Sequence, residues 1–86
     1  MGRKSYTELM KEIVEYIEKK GSATTNEVLR DVFKQYYNIV ANVLLAFLVY
    51  EDVLEYKNYG RARVFRVKNK EKLNEVIKKW EEKVWL

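Results

Sequence analysis

The sequence contains no cysteine and no histidine. Without cysteine, neither a disulfide nor a thiolate metal site is possible. Without histidine, the chain lacks the usual general base, the usual switch near neutral pH and the commonest metal ligand. Serine occurs only at Ser5 and Ser22, and both positions fit a structural role at the boundary of a helix or strand. We therefore expect a protein that is not an enzyme, with no cofactor, no metal and no small-molecule substrate.

The chain also lacks a long hydrophobic run. Its longest nearly apolar stretch, residues 39–50, is broken only by Asn42. A bilayer span needs about 20 apolar residues, so this stretch is too short. The N-terminus is polar and charged, which predicts no signal peptide. A cytoplasmic protein without membrane contact is the default expectation.

Eighty-six residues predict one domain, residues 1–86, with one modest core. The apolar content of 48% and the aromatic content of 14% indicate a packed fold and not a disordered chain. Lysine and glutamate dominate the charged residues, which is a mild sign of a thermophilic source.

Positive charge is concentrated in residues 57–72. This segment holds seven basic residues and one acidic residue, a net charge of +6, whereas the whole chain carries +4 and the remainder therefore −2. Charge concentrated in this way indicates a binding surface for an anionic partner. A basic, aromatic-rich hairpin with glycine at its tip is a common means of holding a phosphate backbone.

The hydrophobic spacing predicts three helices before this segment. The first covers residues 6–20, with a capping box of Ser5 and Glu8 and a stop at Gly21. The second begins at Thr24, whose capping box uses Glu27, and runs to about Phe33 after a short extended piece at residues 22–23. Residues 34–37 read as a turn. The third helix covers residues 38–50.

A β-hairpin and a last helix follow. We expect strands at residues 53–57 and 61–68, joined by a turn at residues 58–60. Asn69 then caps a helix that carries Leu73, Ile77, Trp80 and Val84 on one face. The four-three-four spacing of these residues is heptad-like, but two heptads are too few to predict a coiled coil, so packing on the domain itself is favoured.

This order of elements resembles the winged helix-turn-helix family. Three segments carry the resemblance: Ala23-Thr24-Thr25-Asn26-Glu27-Val28 at the start of helix two, Leu45-Ala46-Phe47-Leu48 followed by Val53-Leu54-Glu55, and Gly60-Arg61-Ala62-Arg63-Val64-Phe65-Arg66-Val67. The resemblance implies an α+β fold over residues 5–68, with three helices and a two- to three-stranded β-hairpin wing. Residues 69–86 would add a C-terminal helix. Where many family members have glycine, between helix three and the first wing strand, this chain has Asp52.

The resemblance implies contact with duplex DNA through the hairpin. Lys57, Arg61 and Arg63 would contact phosphates and Tyr59 would pack on a sugar, which gives affinity and salt dependence without sequence choice. The alternative is that these cations protect exposed strand edges from aggregation. The clustering of charge favours DNA by about two to one.

Helix three should be the recognition helix, but residues 36–50 contain no lysine or arginine. The commonest specific contact, from arginine to guanine, is therefore not available from it. Asn38 and Asn42 lie one turn apart and are candidates to read adenine, and Tyr37 is a candidate to contact the backbone. The plainer interpretation, an N-cap for Asn38 and a surface position for Asn42, is somewhat favoured.

Helix three is also apolar on two sides. One stripe, expected to face the core, is Ala41, Leu44, Leu45 and Leu48; the other is Ile39, Val43, Ala46 and Tyr50, flanked by Phe47. The last helix, with Trp80 and Val84, either folds back over this second stripe, or a second copy or a partner protein covers it. The two interpretations are equally favoured.

Two functions therefore compete. The first is duplex DNA binding, as a small transcriptional regulator or chromatin-type protein that acts as a homodimer. The second is a protein-interaction module, a non-catalytic accessory subunit of a replication or transcription assembly. The uncharged third helix favours the second function, and the basic hairpin favours the first.

Overall fold

The computed structural model of the chain describes residues 4–35 and 38–84. These residues form an α+β fold with four helices and one three-stranded antiparallel sheet. In chain order the elements are α1 Tyr6–Lys20, β1 Ala23–Thr24, α2 Thr25–Val28, which continues as a π-helical turn Leu29–Phe33, α3 Ile39–Tyr50, β2 Leu54–Tyr59, β3 Ala62–Val67, a 3-10 turn Lys70–Lys72 and α4 Leu73–Val84. Within the described residues, no helix is long and apolar enough to cross a membrane.

The first two helices begin where the sequence predicts. Thr24 and Glu27 form the complete capping box: the Glu27 N–H donates to Thr24 Oγ1 at 3.1 Å, and the Thr24 N–H donates to Glu27 Oε1 at 2.9 Å. Ser5 Oγ accepts the N–H of Glu8 at 3.2 Å, which is one half of the predicted box. Gly21 ends α1 with a φ of 90°. These local bonds satisfy backbone groups that a helix end leaves without intrahelical partners.

The second helix reaches Phe33 as predicted, but its last five residues are π-helical. Lys34 ends it in the left-handed conformation, with a φ of 59°. Val28 and Leu29 are buried, whereas Val32 and Phe33 are only half-buried. Tyr16 of α1 donates a hydrogen bond to the Asp31 carboxylate in this turn, and the bonds from Arg30 hold the pKa of that carboxyl far below its usual value.

The strands lie in the order β1-β3-β2, so β3 is central. Ala23 pairs with Phe65, Leu54 with Val67 and Tyr59 with Ala62. Successive side chains of a strand alternate between the two faces of a sheet. Leu54 and Phe65 are buried, which makes theirs the inner face. The alternation then places Glu55, Lys57, Tyr59, Val64 and Arg66 on the outer face.

The predicted hairpin turn, residues 58–60, begins two residues and ends one residue before the observed turn. Asn58 pairs with Arg63 and Tyr59 pairs with Ala62, so the turn consists of Gly60 and Arg61. Gly60 has a φ of 60°, a conformation that glycine adopts without a steric penalty. A two-residue turn of this kind matches the twist of its strands, and this lets the strands stay paired closer to the tip.

One hydrophobic core joins all the helices to the sheet. Met10, Ile13, Val14 and Ile17 of α1 lie at its centre, together with the predicted inner stripe of α3, residues Ala41, Leu44, Leu45 and Leu48. Leu73, Val76 and Ile77 of α4 belong to the same core. The predicted apolar face of the last helix therefore packs on its own domain, as favoured, and Trp80 is partly buried against the same core.

Asn69 is the N-cap of the 3-10 turn that leads into the last helix, but its side chain does not make the predicted capping bond. The Asn69 side chain donates to the carbonyl oxygen of Asp52 at 3.0 Å, and its N–H donates to the carbonyl oxygen of Val53 at 3.1 Å. These bonds fix the chain after β3 to the junction between α3 and β2. A 3-10 turn must therefore come first, and the α-helix starts only at Leu73.

Asp52 adopts a left-handed backbone conformation at the junction between α3 and β2. Its φ is 65°, in the left-handed region, which aspartate tolerates better than most residues. Its carboxylate lies 3.4 Å from Lys68 Nζ and 3.8 Å from Lys72 Nζ. The junction therefore turns sharply without glycine, and it also holds two of the basic residues.

Candidate nucleic-acid interface

The basic segment divides into paired and unpaired cations. Lys68 and Lys72 lie against Asp52, and Lys70 Nζ lies 2.7 Å from Glu18 Oε1, a contact that raises the pKa of Lys70. These three lysines are thus partly neutralised at the base of the hairpin. Lys57, Arg61, Arg63 and Arg66 are exposed and form no ion pair within the described residues. The positive surface is therefore the hairpin itself.

The outer face of the hairpin brings two predicted site residues together. Lys57 and Tyr59 lie on it, and Tyr59 is 61% exposed. Arg66 joins them because Val64 pairs with Lys57, which places Arg66 at the diagonal position on the same face. We did not predict Arg66 as a site residue. The period-two alternation would have indicated it, but only once the register of the two strands was known.

These side chains border a shallow hollow of about 260 Å³. Val64 and Arg66 of the central strand line it, and Ser22, Glu55, Tyr56, Lys57 and Tyr59 complete its lining. The hollow contains two cations, one carboxylate and exposed aromatic surface. Its chemistry suits a ligand that carries both negative charge and a flat ring.

Arg63 lies on the opposite face. Its guanidinium carbon is 4.6 Å from the centre of the Tyr56 ring, and Tyr56 is itself 41% exposed. Such a cation–π contact holds the guanidinium over the ring while leaving its outer side in solvent. Arg61 occupies the turn between the two faces. The predicted phosphate contacts are therefore spread around the hairpin and do not lie on one surface.

Asn38 is committed to the start of α3. Its Oδ1 accepts the N–H groups of Val40 at 2.8 Å and Ala41 at 3.4 Å, and its Nδ2 donates to Gln35 Oε1 at 2.9 Å. The amide thus acts as the N-cap and is not available for a base. Asn42 is exposed, with Nδ2 3.4 Å from the carbonyl oxygen of Asn38. Tyr37 lies outside the described residues.

The second stripe of α3 faces solvent along most of its length. Ile39 is 63%, Val43 50% and Tyr50 83% exposed, and Ala46 is exposed as well. Among the described residues, the last helix contacts this side of α3 through Trp80, whose ring centre is 4.9 Å from that of the flanking Phe47 in an edge-to-face contact. The interpretation that the last helix folds back over the stripe is therefore wrong for Ile39, Val43 and Tyr50. The side chain of Val84 lies outside the described part of the chain.

Among the residues that the structure describes, no group of three acidic side chains is arranged to hold a metal ion. Comparisons with protein-family models, with curated proteins and with solved structures found no match to this chain. The surface chemistry of the hairpin and of α3 is therefore the basis for a functional proposal.

Proposed function

We propose that the chain is a winged helix-turn-helix domain that binds duplex DNA through the β2–β3 hairpin, as a small transcriptional regulator or chromatin-type protein. The element order of α1, β1, α2, α3, β2 and β3 supports this proposal, because it is the order that the resemblance implies. The left-handed turn at Asp52, where the family has glycine, supports it further.

One observation carries the proposal. The hairpin exposes four cations, residues 57, 61, 63 and 66, without a carboxylate partner in the described residues, and two exposed tyrosines lie among them. A protruding strand pair of this composition fits phosphate binding, since cations that replace condensed counterions provide most of the affinity for DNA. The partly neutralised lysines at its base contribute less.

Such binding would be governed by phosphate contacts more than by base contacts. Between residues 36 and 50 there is no lysine or arginine, and Asn38 is occupied as a cap. Sequence discrimination should therefore fall well below the roughly thousandfold or more that separates specific from non-specific sites for typical regulators.

The test compares two double variants by fluorescence anisotropy with duplex DNA over a salt series. Arg61→Ala with Arg63→Ala removes two unpaired cations. Lys68→Ala with Lys70→Ala removes the same charge from paired positions and is the matched control. We expect the arginine variant to bind all duplexes more weakly and to lose about 0.9 of salt slope per contact, and the lysine variant to lose less. Unchanged affinity and slope in the arginine variant would exclude the hairpin from the interface.

A second candidate function is a protein-interaction module, an accessory subunit that does no chemistry. The exposure of Ile39, Val43 and Tyr50 on one uncharged helix favours it, because contiguous apolar surface commonly marks an interface. The two functions use different surfaces of the molecule. A domain that binds DNA by its hairpin and a second copy or a partner by α3 is consistent with both.

A further inference from the structure

The hollow on the outer face of the sheet is lined by Val64 and Arg66 of the central strand. Val64 is half-buried between its cross-strand partners, Lys57 of β2 and Thr24 of β1. Lys57 and Tyr59 of β2 lie on one side. On the other side, continuation of the β1–β3 register places Ser22 beside Arg66. A long cation and a long aromatic ring therefore stand over a shallow apolar base.

Tyr59 offers an open ring surface. Its cross-strand partner is Ala62, whose methyl group is too small to cover the ring, and the side chain is 61% exposed. Tyr56, in contrast, has its ring engaged by Arg63 on one side and packed near Phe65, with ring centres 5.9 Å apart. Of these two tyrosines, Tyr59 has the more open ring and is therefore the better stacking platform.

The cations and the ring lie at the spacing of a nucleotide. Lys57 and Tyr59 are two residues apart on one strand, so their side chains emerge about 7 Å apart on the same face. Proteins that hold single-stranded nucleic acid combine a positively charged groove with aromatic rings on which bases stack. The hollow combines both features on one sheet surface.

We propose that the outer face of the sheet binds single-stranded nucleic acid, with one unpaired base stacked on Tyr59 and the neighbouring phosphates held by Lys57 and Arg66. The proposal rests on the proposed function in assigning a nucleic-acid partner to this hairpin, and it adds a second kind of strand. A base inside a duplex is already stacked on both sides, so it cannot offer a face to Tyr59. The hollow of about 260 Å³ lies below the roughly 300–1,000 Å³ of drug-sized pockets, which suits one nucleotide.

Glu55 would give the site a preference among the bases. Its half-buried carboxylate lines the hollow opposite Arg66 and would repel a phosphate, but it can accept a hydrogen bond from an exocyclic amino group. Carboxylates accept such bonds from N4 of cytosine. We therefore expect a cytosine strand to bind more tightly than a thymine strand.

The experiment measures the anisotropy of labelled twelve-nucleotide oligo(dC), oligo(dT) and duplex with the full chain. Tyr59→Leu removes the ring at the hollow, and Tyr50→Leu removes an exposed ring on α3, away from the hollow, as the matched control. Tyr59→Leu should weaken oligo(dC) binding about tenfold, and Tyr50→Leu less than threefold. Circular dichroism of both variants confirms that the fold is intact. Glu55→Gln should reduce the preference for oligo(dC).

Three outcomes would overturn the inference. Single strands that do not bind, or that lose equal affinity in the two tyrosine variants, would exclude a stacking site at the hollow. If free deoxycytidine monophosphate competed as well as the oligonucleotide, the hollow would be a site for a single nucleotide and not for a strand. Duplex binding is read separately through the arginine variant, so the proposed function can fail while this inference stands, and the reverse.

Discussion

Among the residues that the structure describes, two other than glycine occupy left-handed backbone conformations, Lys34 with a φ of 59° and Asp52 with a φ of 65°. Asp52 has compensating contacts, because its carbonyl oxygen accepts from Asn69 and its carboxylate lies near two lysines. The Lys34 side chain forms no hydrogen bond or ion pair with the residues described. The strain at Lys34 is therefore the less compensated of the two.

We predict that Lys34→Gly raises the free energy of unfolding by about 1 kcal/mol. A side chain in the left-handed backbone region costs roughly 1–2 kcal/mol, which glycine avoids. Glycine also gives the unfolded chain more conformational freedom, and this offsets part of the gain. For a domain of this size, 1 kcal/mol corresponds to a rise in Tm of about 4–8 °C. Lys34→Ala removes the same charge but keeps the β-carbon, so its Tm should not rise. An equal rise in both variants would assign the effect to charge.

Asn38 shows why a polar residue at a plausible recognition position is weak evidence for base contact. Its side chain satisfies two N–H groups of the first turn of α3, which would otherwise lack partners. The capping interpretation, which the sequence somewhat favoured, is confirmed. The side chain of Asn42 stays exposed, and its reading of adenine remains a prediction.

The hairpin combines two chemistries because its strands alternate. One face carries Lys57, Tyr59 and Arg66, and the other carries Tyr56 and Arg63. A single strand held on the outer face and a duplex held along the tip would therefore use overlapping but different residues.

The third helix is held to the fourth by an aromatic contact. Phe47 and Trp80 meet edge to face, and Tyr6 of α1 lies 5.9 Å from the same tryptophan ring. We predict that Phe47→Ala lowers the free energy of unfolding by about 2 kcal/mol, less than the 3–5 kcal/mol of a fully buried ring because Phe47 is half-buried. A double-mutant cycle with Trp80→Ala should give a coupling of about 0.5–1.5 kcal/mol, measured by urea unfolding.

Val43→Ser is the control on the exposed side of the same helix. It should change stability by less than about 0.5 kcal/mol, because Val43 is half in solvent and Phe47 carries the packing. Light scattering on the same samples measures their mass. If a second copy covers the stripe, the parent chain is dimeric and Val43→Ser is monomeric. A parent chain that is monomeric at all concentrations would exclude a homodimer through α3.

We expect the whole molecule to unfold in one cooperative transition, because a single core joins its helices and its sheet. Leu73, Val76 and Ile77 of α4 are buried with α1 residues in the same cluster, so residues 69–84 are not merely attached to a finished domain. We predict that Ile77→Ala lowers the free energy of unfolding by about 2–5 kcal/mol. The midpoint temperature of unfolding should fall by the same amount whether it is followed by far-ultraviolet circular dichroism or by tryptophan fluorescence.

Separate transitions would contradict this prediction. If the midpoint temperature measured by fluorescence fell while the one measured by circular dichroism did not change, α4 would detach before the remainder of the protein unfolds. Lys78→Ala is the matched control on the exposed side of α4 and should leave both transitions in place.

The sequence by itself determined the local elements of this protein. Capping at Thr24 and Asn38, the stop at Gly21 and the inner apolar stripe of α3 depend on residues within one or two turns of each other, and their predictions are confirmed. The first residues of α2 and α3 and the last residue of α1 follow from these local bonds. The concentration of positive charge in one segment was also readable, because formal charge needs no structure.

The tertiary structure decided where those charges act. Lys70 meets Glu18 across 52 positions of sequence, and Lys68 meets Asp52 across 16, contacts that no local pattern contains. The register of the strands decided that Arg66 lies on the same face as Lys57 and Tyr59. The side chain of Asn69 donates to the α3–β2 junction at Asp52 and therefore does not cap the following helix. The exposure of Ile39, Val43 and Tyr50 likewise depended on where α4 lies. Such contacts depend on how distant segments share one core, and a sequence pattern records only the preferences of neighbours.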